Sequence, residues 1–247
     1  MIVTYKIQKG IHKERCDDSA LIGSLVINDN YGSVEIQENT KIMIADGVGG
    51  NAGGDQASFF VMNAIKDISF EDSADLQSSL LLINDNLIKY AITVEGHELM
   101  ATTVTGIMFY KDECILVHCG NTRIYALQGS FLKQITSDQT TYQWLMATGN
   151  DDAAAHCNKS EIRGAFGGGN TKFADSLVIG SVFERGVPSK VLLTSDGVHD
   201  TLDIDEIEDI LSNDELSSVE KINLLIDSAV VKGSEDDCTA ILIETEG

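Results

Sequence analysis

Apolar residues along this chain change period several times, and the changes divide it into blocks. Partial alternation of β-branched residues over Ile2 to Gln8, Ala20 to Ile27 and Ser33 to Gln37 predicts strands, with Asn28-Asp29-Asn30 and Gly32 as a hairpin turn between the last two. Lys41 to Ala45 is a short, nearly continuous apolar run, as in a buried strand. From Gln56 to Ile68 the period becomes helical, because Ala57, Phe60, Val61, Ala64, Ile65 and Ile68 share one face, and a second helix is predicted from about Ala74 to Val94. Strand patterns return at Thr102 to Phe109, Cys114 to His118, Arg123 to Gln128 and Phe131 to Ile135. Turns such as Lys111-Asp112 and Gly129-Ser130 separate them, which suggests an antiparallel meander. Ser137 to Asp175 then loses its period and gathers Asn, Asp and Gly, including Gly167-Gly168-Gly169, and this stretch of about 137–175 is read as a flap over a site. Strands over Val178 to Phe183 and Lys190 to Thr194, helices over Ile204 to Leu211 and Val219 to Val231, and a terminal strand over Thr239 to Glu244 complete the pattern.

Strands and helices come in groups and do not alternate strictly. That grouping favours an α+β fold of two antiparallel sheets covered by helices over a doubly wound parallel sheet. No repeat or linker interrupts the chain, and its sole proline, Pro188, precedes a strand, so a single domain over residues 1–247 is expected.

Composition narrows the function classes. A hydrophobic share of 43% over 247 residues supplies a sizeable core. No apolar run approaches the ~18 to 20 residues of a membrane span, and the opening MIVTYKIQKG alternates like a strand, unlike a signal-peptide core. Five cysteines without a CxxC pair argue against both a disulfide framework and a thiolate zinc site, so a cytoplasmic setting is expected. Thirty-nine acids against seventeen bases give a formal charge of -22, which repels nucleic acid and anionic lipid; neither is an expected partner.

The positions of the acids carry more than their number. Asp46 ends a strand before Gly47, Asp196 ends a strand before Gly197, Asp236-Asp237 precede the last strand, and Asp17-Asp18 precede the strand beginning near Ala20. Any one of these read alone is an ordinary turn aspartate. Carboxylates at four strand ends on one rim of a sandwich would repel one another unless cations lay between them, and hard divalent ions with oxygen ligands, Mg2+ or Mn2+, resolve the conflict. Gly47 to Ala52 also satisfies a GxGxxA dinucleotide fingerprint after a strand. Asp46 would then face a pyrophosphate with like charge, and the alternating βα units are missing, which leaves a dinucleotide-binding oxidoreductase as the weaker alternative.

Six segments, in order along nearly the whole chain, resemble the motifs of the PP2C-type (PPM) metal-dependent protein phosphatases. Cys16-Asp17-Asp18-Ser19 is similar to the first acidic motif, Ile44 to Gly50 (IADGVGG) to the second, and Met100-Ala101-Thr102-Thr103 to a Met-Gly-Thr-Thr segment. Gly120-Asn121-Thr122-Arg123 resembles Gly-Asp-Ser-Arg, Thr194-Ser195-Asp196-Gly197-Val198 the Ser-Asp-Gly motif, and Asp236-Asp237-Cys238-Thr239 an Asp-Asn-x-Thr motif. The resemblance implies a four-layer α-β-β-α sandwich with two Mn2+ or Mg2+ ions in a cleft between the sheet edges. Asp46 would bridge both ions, Asp196 and Asp236 would hold the first, Asp17 and the Gly47 carbonyl the second, and Asp18 would orient bound water. The implied reaction is attack of metal-activated water on phosphoserine or phosphothreonine in proteins, with no covalent enzyme intermediate, and the implied partner is a phosphoprotein substrate of an opposing serine/threonine kinase. A monomer is expected. No GxSxG elbow competes as a nucleophile motif.

The chain departs from that pattern in several places. Lys13 stands where the family commonly carries a phosphate-binding Arg, and Arg15 is a possible substitute. Asn121 replaces an aspartate that helps many bacterial relatives hold a third metal, so a third ion should bind weakly. Asp17 replaces the usual Glu, and Val48 occupies the place of a histidine proposed as general acid in some relatives. His199 and His12 are near the motifs in sequence, although a lone histidine is more often a surface or helix-start residue. Lys13 and Asn121 together motivate a second reading, a catalytically weak relative that binds phosphoproteins as a regulatory module.

Overall fold

The computed structural model describes residues 1–36, 39–48, 52–111, 113–169, 173–183 and 186–245. In chain order it contains strands β1 (Ile2–Gln8), β2 (Ser19–Ile22), β3 (Leu25–Ile27), β4 (Tyr31–Glu35) and β5 (Lys41–Ala45), then helices α1 (Gly54–Asp67) and α2 (Ser73–Thr93). Strands β6 (Ala101–Thr102), β7 (Val104–Tyr110), β8 (Glu113–Cys119), β9 (Arg123–Gln128) and β10 (Phe131–Gln134) follow. Next come α3 (Thr141–Ala147), α4 (Asp151–Ala154), β11 (Phe166–Gly167), α5 (Phe173–Ser176), β12 (Val178–Ser181) and β13 (Lys190–Thr194). Helices α6 (Asp196–His199), α7 (Ile204–Ser212) and α8 (Ser218–Val231) lead to β14 (Cys238–Glu244).

Two antiparallel sheets result, ordered β10-β9-β13-β14-β1-β4 and β12-β8-β7-β5-β2-β3, with a small β11-β6 pair beside them. Side chains of a strand alternate between the two faces of its sheet, and here both faces are apolar. Along β5, Ile42 and Ile44 enter the core between the sheets with Val3, Ile7 and Ile241, whereas Met43 and Ala45 turn outward to α1 and α2. Along β14, Ile241 and Ile243 face inward, and Ala240 and Leu242 pack against Leu225, Ile226 and Ala229 of α8. Three apolar layers thus separate helix, sheet, sheet and helix, the expected α-β-β-α order. The helices have defined starts: Asp72 accepts from the Ala74 and Asp75 amides to cap α2, and Asp203/Glu206 and Ser217/Glu220 form capping boxes on α7 and α8.

Four sequence expectations need correction. The predicted strand from Ala20 to Ile27 is a hairpin, because Gly23 at φ +62° turns the chain between β2 and β3. Asn28 to Asn30 is therefore not a hairpin turn but the crossing from β3 in one sheet to β4 in the other. The predicted meander likewise divides: β7 and β8 belong to one sheet, β9 and β10 to the other, and Gly120 at φ +121° makes the step between them. The stretch of about 137–175 also has elements of its own. Thr140 caps α3 by accepting from the Gln143 amide at 3.2 Å, and Arg163 lies 4.4 Å from the centre of the Trp144 ring. Helix α3 buries no residue, so it left no apolar stripe for the sequence to show. Gly49, Gly50 and Asn51 of the second acidic motif, and Asp112 of the Lys111-Asp112 turn, lie outside the described residues.

Candidate metal centre

Strand register brings the acidic segments to one end of the sandwich. Ser19 pairs with Ala45, so Asp18 and Asp46 leave adjacent strands at the same rim of one sheet. In the other sheet Thr194 pairs with both Ala240 and Arg123, which places Asp196, Asn121 and the turn before β14 at the facing rim. A hydrogen bond from the Thr239 hydroxyl to Asp18 Oδ2, 2.6 Å, ties the two rims together.

The deep half of this rim holds Asp18, Asp46, Asp196 and Asn121. Asp18 is fully buried, and its pKa is pushed well up by burial and by the Asp237 charge, against hydrogen bonds from Thr239 and Ser195. Asp46 is raised well above the usual carboxylate range, first by burial and then by Asp196, Asp18 and Asp236. Asp196 is pushed up to about 6 by burial and the nearby Asp236 charge, although Asn121 donates to its Oδ2 at 3.0 Å. The main chain of Asp46 is fixed, since Thr102 Oγ1 and the Thr103 amide both donate to its carbonyl, at 2.9 and 2.8 Å. Three side-chain oxygens of this half, Asp18 Oδ1, Asp46 Oδ2 and Asn121 Oδ1, are buried with no hydrogen-bond partner.

The outer half is arranged differently. Asp237, nearly fully buried, accepts from the Gly10 amide at 2.7 Å, the Asp17 amide at 2.6 Å and Lys13 Nζ at 2.9 Å. Lys13 Nζ also meets Asp236 Oδ1 at 2.5 Å and Asp17 Oδ2 at 3.1 Å. One ammonium therefore serves three carboxylates. Burial alone would lower the Lys13 pKa, but the hydrogen bonds and charges of Asp236 and Asp237 outweigh it and hold the ammonium protonated. Asp17 is nonetheless raised, because its burial and the Asp237 charge exceed the help it draws from Lys13. Gly47 is required sterically: a Cβ there would lie 2.5 Å from the Gly54 carbonyl and 2.8 Å from the Asp17 carbonyl oxygen.

Asp196, Asp236 and Lys13 line a cleft of about 490 Å3 together with Asp200, Glu235 and Ser160, the last from the 137–175 segment. Lys13 is the only basic side chain on that wall among the described residues. Arg15 turns away, 76% exposed and 3.2 Å from Asp55. His12 is exposed. His199 is buried, shares a 2.7 Å hydrogen bond with Thr194 Oγ1, and has its pKa driven well down by burial and by the Arg123 charge, so it is a neutral part of the fold. Sequence reasoning missed the bracing done by Asp237 and Thr239. Both lie in the Asp236 to Thr239 motif, and nothing in the sequence separates a bracing acid from a ligating one.

The donors suit a hard divalent cation. Carboxylate and amide oxygens without partners, in a low-dielectric rim where carboxylates shift one another's ionisation, are what such an ion satisfies. Among the described residues no three His, Cys, Asp or Glu side chains are arranged to hold an ion as folded, and the Asp17, Asp236 and Asp237 carboxylates meet at the Lys13 ammonium instead, so ligation requires side-chain adjustment.

No family model matches the chain. It is 30% identical over 229 residues to the serine/threonine phosphatase stp of Listeria welshimeri, covering 87% of this chain and 89% of the relative. Among solved structures, the serine/threonine phosphatase Stp1 of Staphylococcus aureus superposes with a TM-score of 0.79 at 22% identity, over 99% of this chain and 95% of the other. The catalytic domain of the serine/threonine protein phosphatase PstP, solved in complex with two manganese ions, superposes with a TM-score of 0.73 at 26% identity, over 99% of both chains. With six motifs in order, the four-layer sandwich and a curated relative matched over most of its length, this chain belongs to the family of PP2C-type serine/threonine protein phosphatases.

Proposed function

We propose that the chain hydrolyses phosphoserine and phosphothreonine in proteins with divalent cations held at the rim where its two sheets meet. The observation that carries this reading is the set of buried, unpartnered oxygens on Asp18, Asp46 and Asn121, surrounded by the charges of Asp196 and Asp236. Asp46, Asp196 and Asp236 would hold two Mn2+ or Mg2+ ions together with Asp17 and the Gly47 carbonyl. When bound, such ions lower the pKa of water and neutralise phosphoryl charge.

The chain's own groups do the rest. Asp18, held by the Thr239 hydroxyl, would accept a hydrogen bond from water and orient it. Asn121 holds Asp196 through its amide and presents a neutral oxygen, which disfavours a third ion relative to an aspartate. Lys13 is the positive charge available on the cleft wall to a phosphoryl oxygen, as a point charge without the bidentate fork of an arginine. The 137–175 segment, through Ser160, borders the cleft from outside the sheets.

In this reading the 247 residues form one catalytic domain, acting as a monomer on phosphoproteins made by a serine/threonine kinase. No helix among the described residues is long and apolar enough to cross a membrane. The test is release of phosphate from a phosphothreonine peptide and from para-nitrophenyl phosphate, with Mn2+ and then with EDTA. Release that needs the metal is expected. Phosphopeptide binding with no metal-dependent release would favour the regulatory module.

A further inference from the structure

We propose that Lys13 is a tethered cation of the metal centre: its ammonium occupies the outer acidic cluster, competes with divalent ions for Asp236, and holds that cluster together when no ion is bound. The inference rests on the proposed phosphatase site and adds a role for Lys13 distinct from phosphate binding.

The ammonium has a built seat. It donates hydrogen bonds to Asp237 at 2.9 Å and Asp17 at 3.1 Å, and forms an ion pair with Asp236 at 2.5 Å. The backbone that carries Lys13 is locked to the acids it serves. The Gly10 amide donates to Asp237, the Lys13 amide donates to the Gly10 carbonyl at 3.1 Å, and Gly10 packs so closely that a Cβ there would lie 2.4 Å from the Glu235 carbonyl oxygen. These contacts hold the turn in place, and release of the ammonium falls to a swing of the Lys13 side chain.

The contrast across the rim identifies what the ammonium does. Asp18 Oδ1, Asp46 Oδ2 and Asn121 Oδ1 lack partners, whereas Asp17 Oδ2, Asp236 Oδ1 and Asp237 Oδ2 share one. A divalent ion that takes Asp236 as a ligand shares that carboxylate with Lys13, whose ammonium lies 2.5 Å from Oδ1, and until the ammonium moves away the two cations repel each other. An arginine, with a longer planar fork and weaker hydration, does not fit a compact three-oxygen seat in the same way.

Manganese titration by calorimetry and thermal melts in EDTA, on wild type and on the Lys13→Met and Lys13→Arg variants, test this. Lys13→Met keeps the stem and removes the charge. It is expected to bind Mn2+ about tenfold more tightly than wild type and to melt lower than wild type in EDTA. Lys13→Arg, with its charge retained, should bind Mn2+ no more tightly than wild type. Unchanged or weaker Mn2+ binding by Lys13→Met, or an unchanged melt in EDTA, overturns the proposal while leaving the phosphatase reading intact if wild type still releases phosphate with metal. Failure of wild type to take up Mn2+ overturns both. If Lys13→Met folds only with metal, Lys13→Gln purified in Mn2+ and challenged with chelator decides: slower loss of the ion than from wild type supports the proposal, equal or faster loss overturns it.

Discussion

The two halves of the acidic rim contain similar residues and have opposite states. In the outer half, Asp17, Asp236 and Asp237 surround the Lys13 ammonium and draw on backbone amides of the Gly10 to Asp17 segment. In the deep half, burial raises the pKa of Asp18, Asp46 and Asp196, the Asp196 and Asp18 charges raise Asp46 further, and three side-chain oxygens, on Asp18, Asp46 and Asn121, have no hydrogen-bond partner. A buried carboxylate is tolerable when it is paired and costly when it is not. The outer half is thus stable as folded, and the deep half is poised for a cation that the chain does not supply. What satisfies each acid, not its residue type, sets its state, and Asp17 and Asp236 would have to share or exchange the Lys13 ammonium to serve an ion.

Substitutions in the two halves should therefore fail in different ways. Asp46→Asn is expected to lower kcat by about a thousandfold or more while raising the melting temperature in EDTA, because it removes one of several repelling charges. A fall in that melting temperature would mean that Asp46 is structural. Asp237→Ala should do the reverse in kind, destabilising the fold by about 3 kcal/mol by removing one of the three carboxylates around Lys13 and the acceptor of the Gly10 and Asp17 amides. Urea unfolding measures it, and a loss below about 1 kcal/mol would place Asp237 outside the bracing network.

Acidity sharpens the same contrast. Asp196 titrates near 6 in the fold against about 3.9 in an unfolded chain. A raised carboxyl binds protons more tightly when folded, so its contribution is fully present below the unfolded value and is lost as pH rises through about 6. Metal-free protein should consequently lose melting temperature between pH 4 and 7: the difference of about two units is worth roughly 3 kcal/mol, and each kcal/mol moves the melt of a chain of this size by roughly 2 to 4 °C. Saturating Mn2+ should flatten the slope. An equally steep slope with metal present would detach Asp196 from the ion. The smallest effect belongs to Arg15, which is exposed and paired with Asp55: Arg15→Ala should leave KM for a phosphopeptide within about twofold, as for other exposed ion pairs.

The comparison also shows how much of the molecule the sequence displays. Two antiparallel sheets covered by helices were legible from the grouping of strands and helices, the four-layer order came from the resemblance of six motifs to a known family, and the site was legible because its acids sit at strand ends in motif order. Two kinds of feature were not. Sheet membership at Asn28 to Asn30 and at Gly120 depends on where a turn sends the next strand, and period-2 patterning is the same in either sheet. The state of each acid depends on partners far away in sequence, as when Asp237 meets Gly10 and Asp18 meets Thr239. Lys13 shows this most clearly, because its position in the motif suggests phosphate and its side chain lies among carboxylates.

Anomalous diffraction from crystals soaked in Mn2+ tests the central claim most directly. The account predicts manganese peaks at the rim, within ligand distance of the Asp46 and Asp196 carboxylates. Well-diffracting crystals with no manganese there, or with manganese bound only to surface acids away from Asp46, would contradict it.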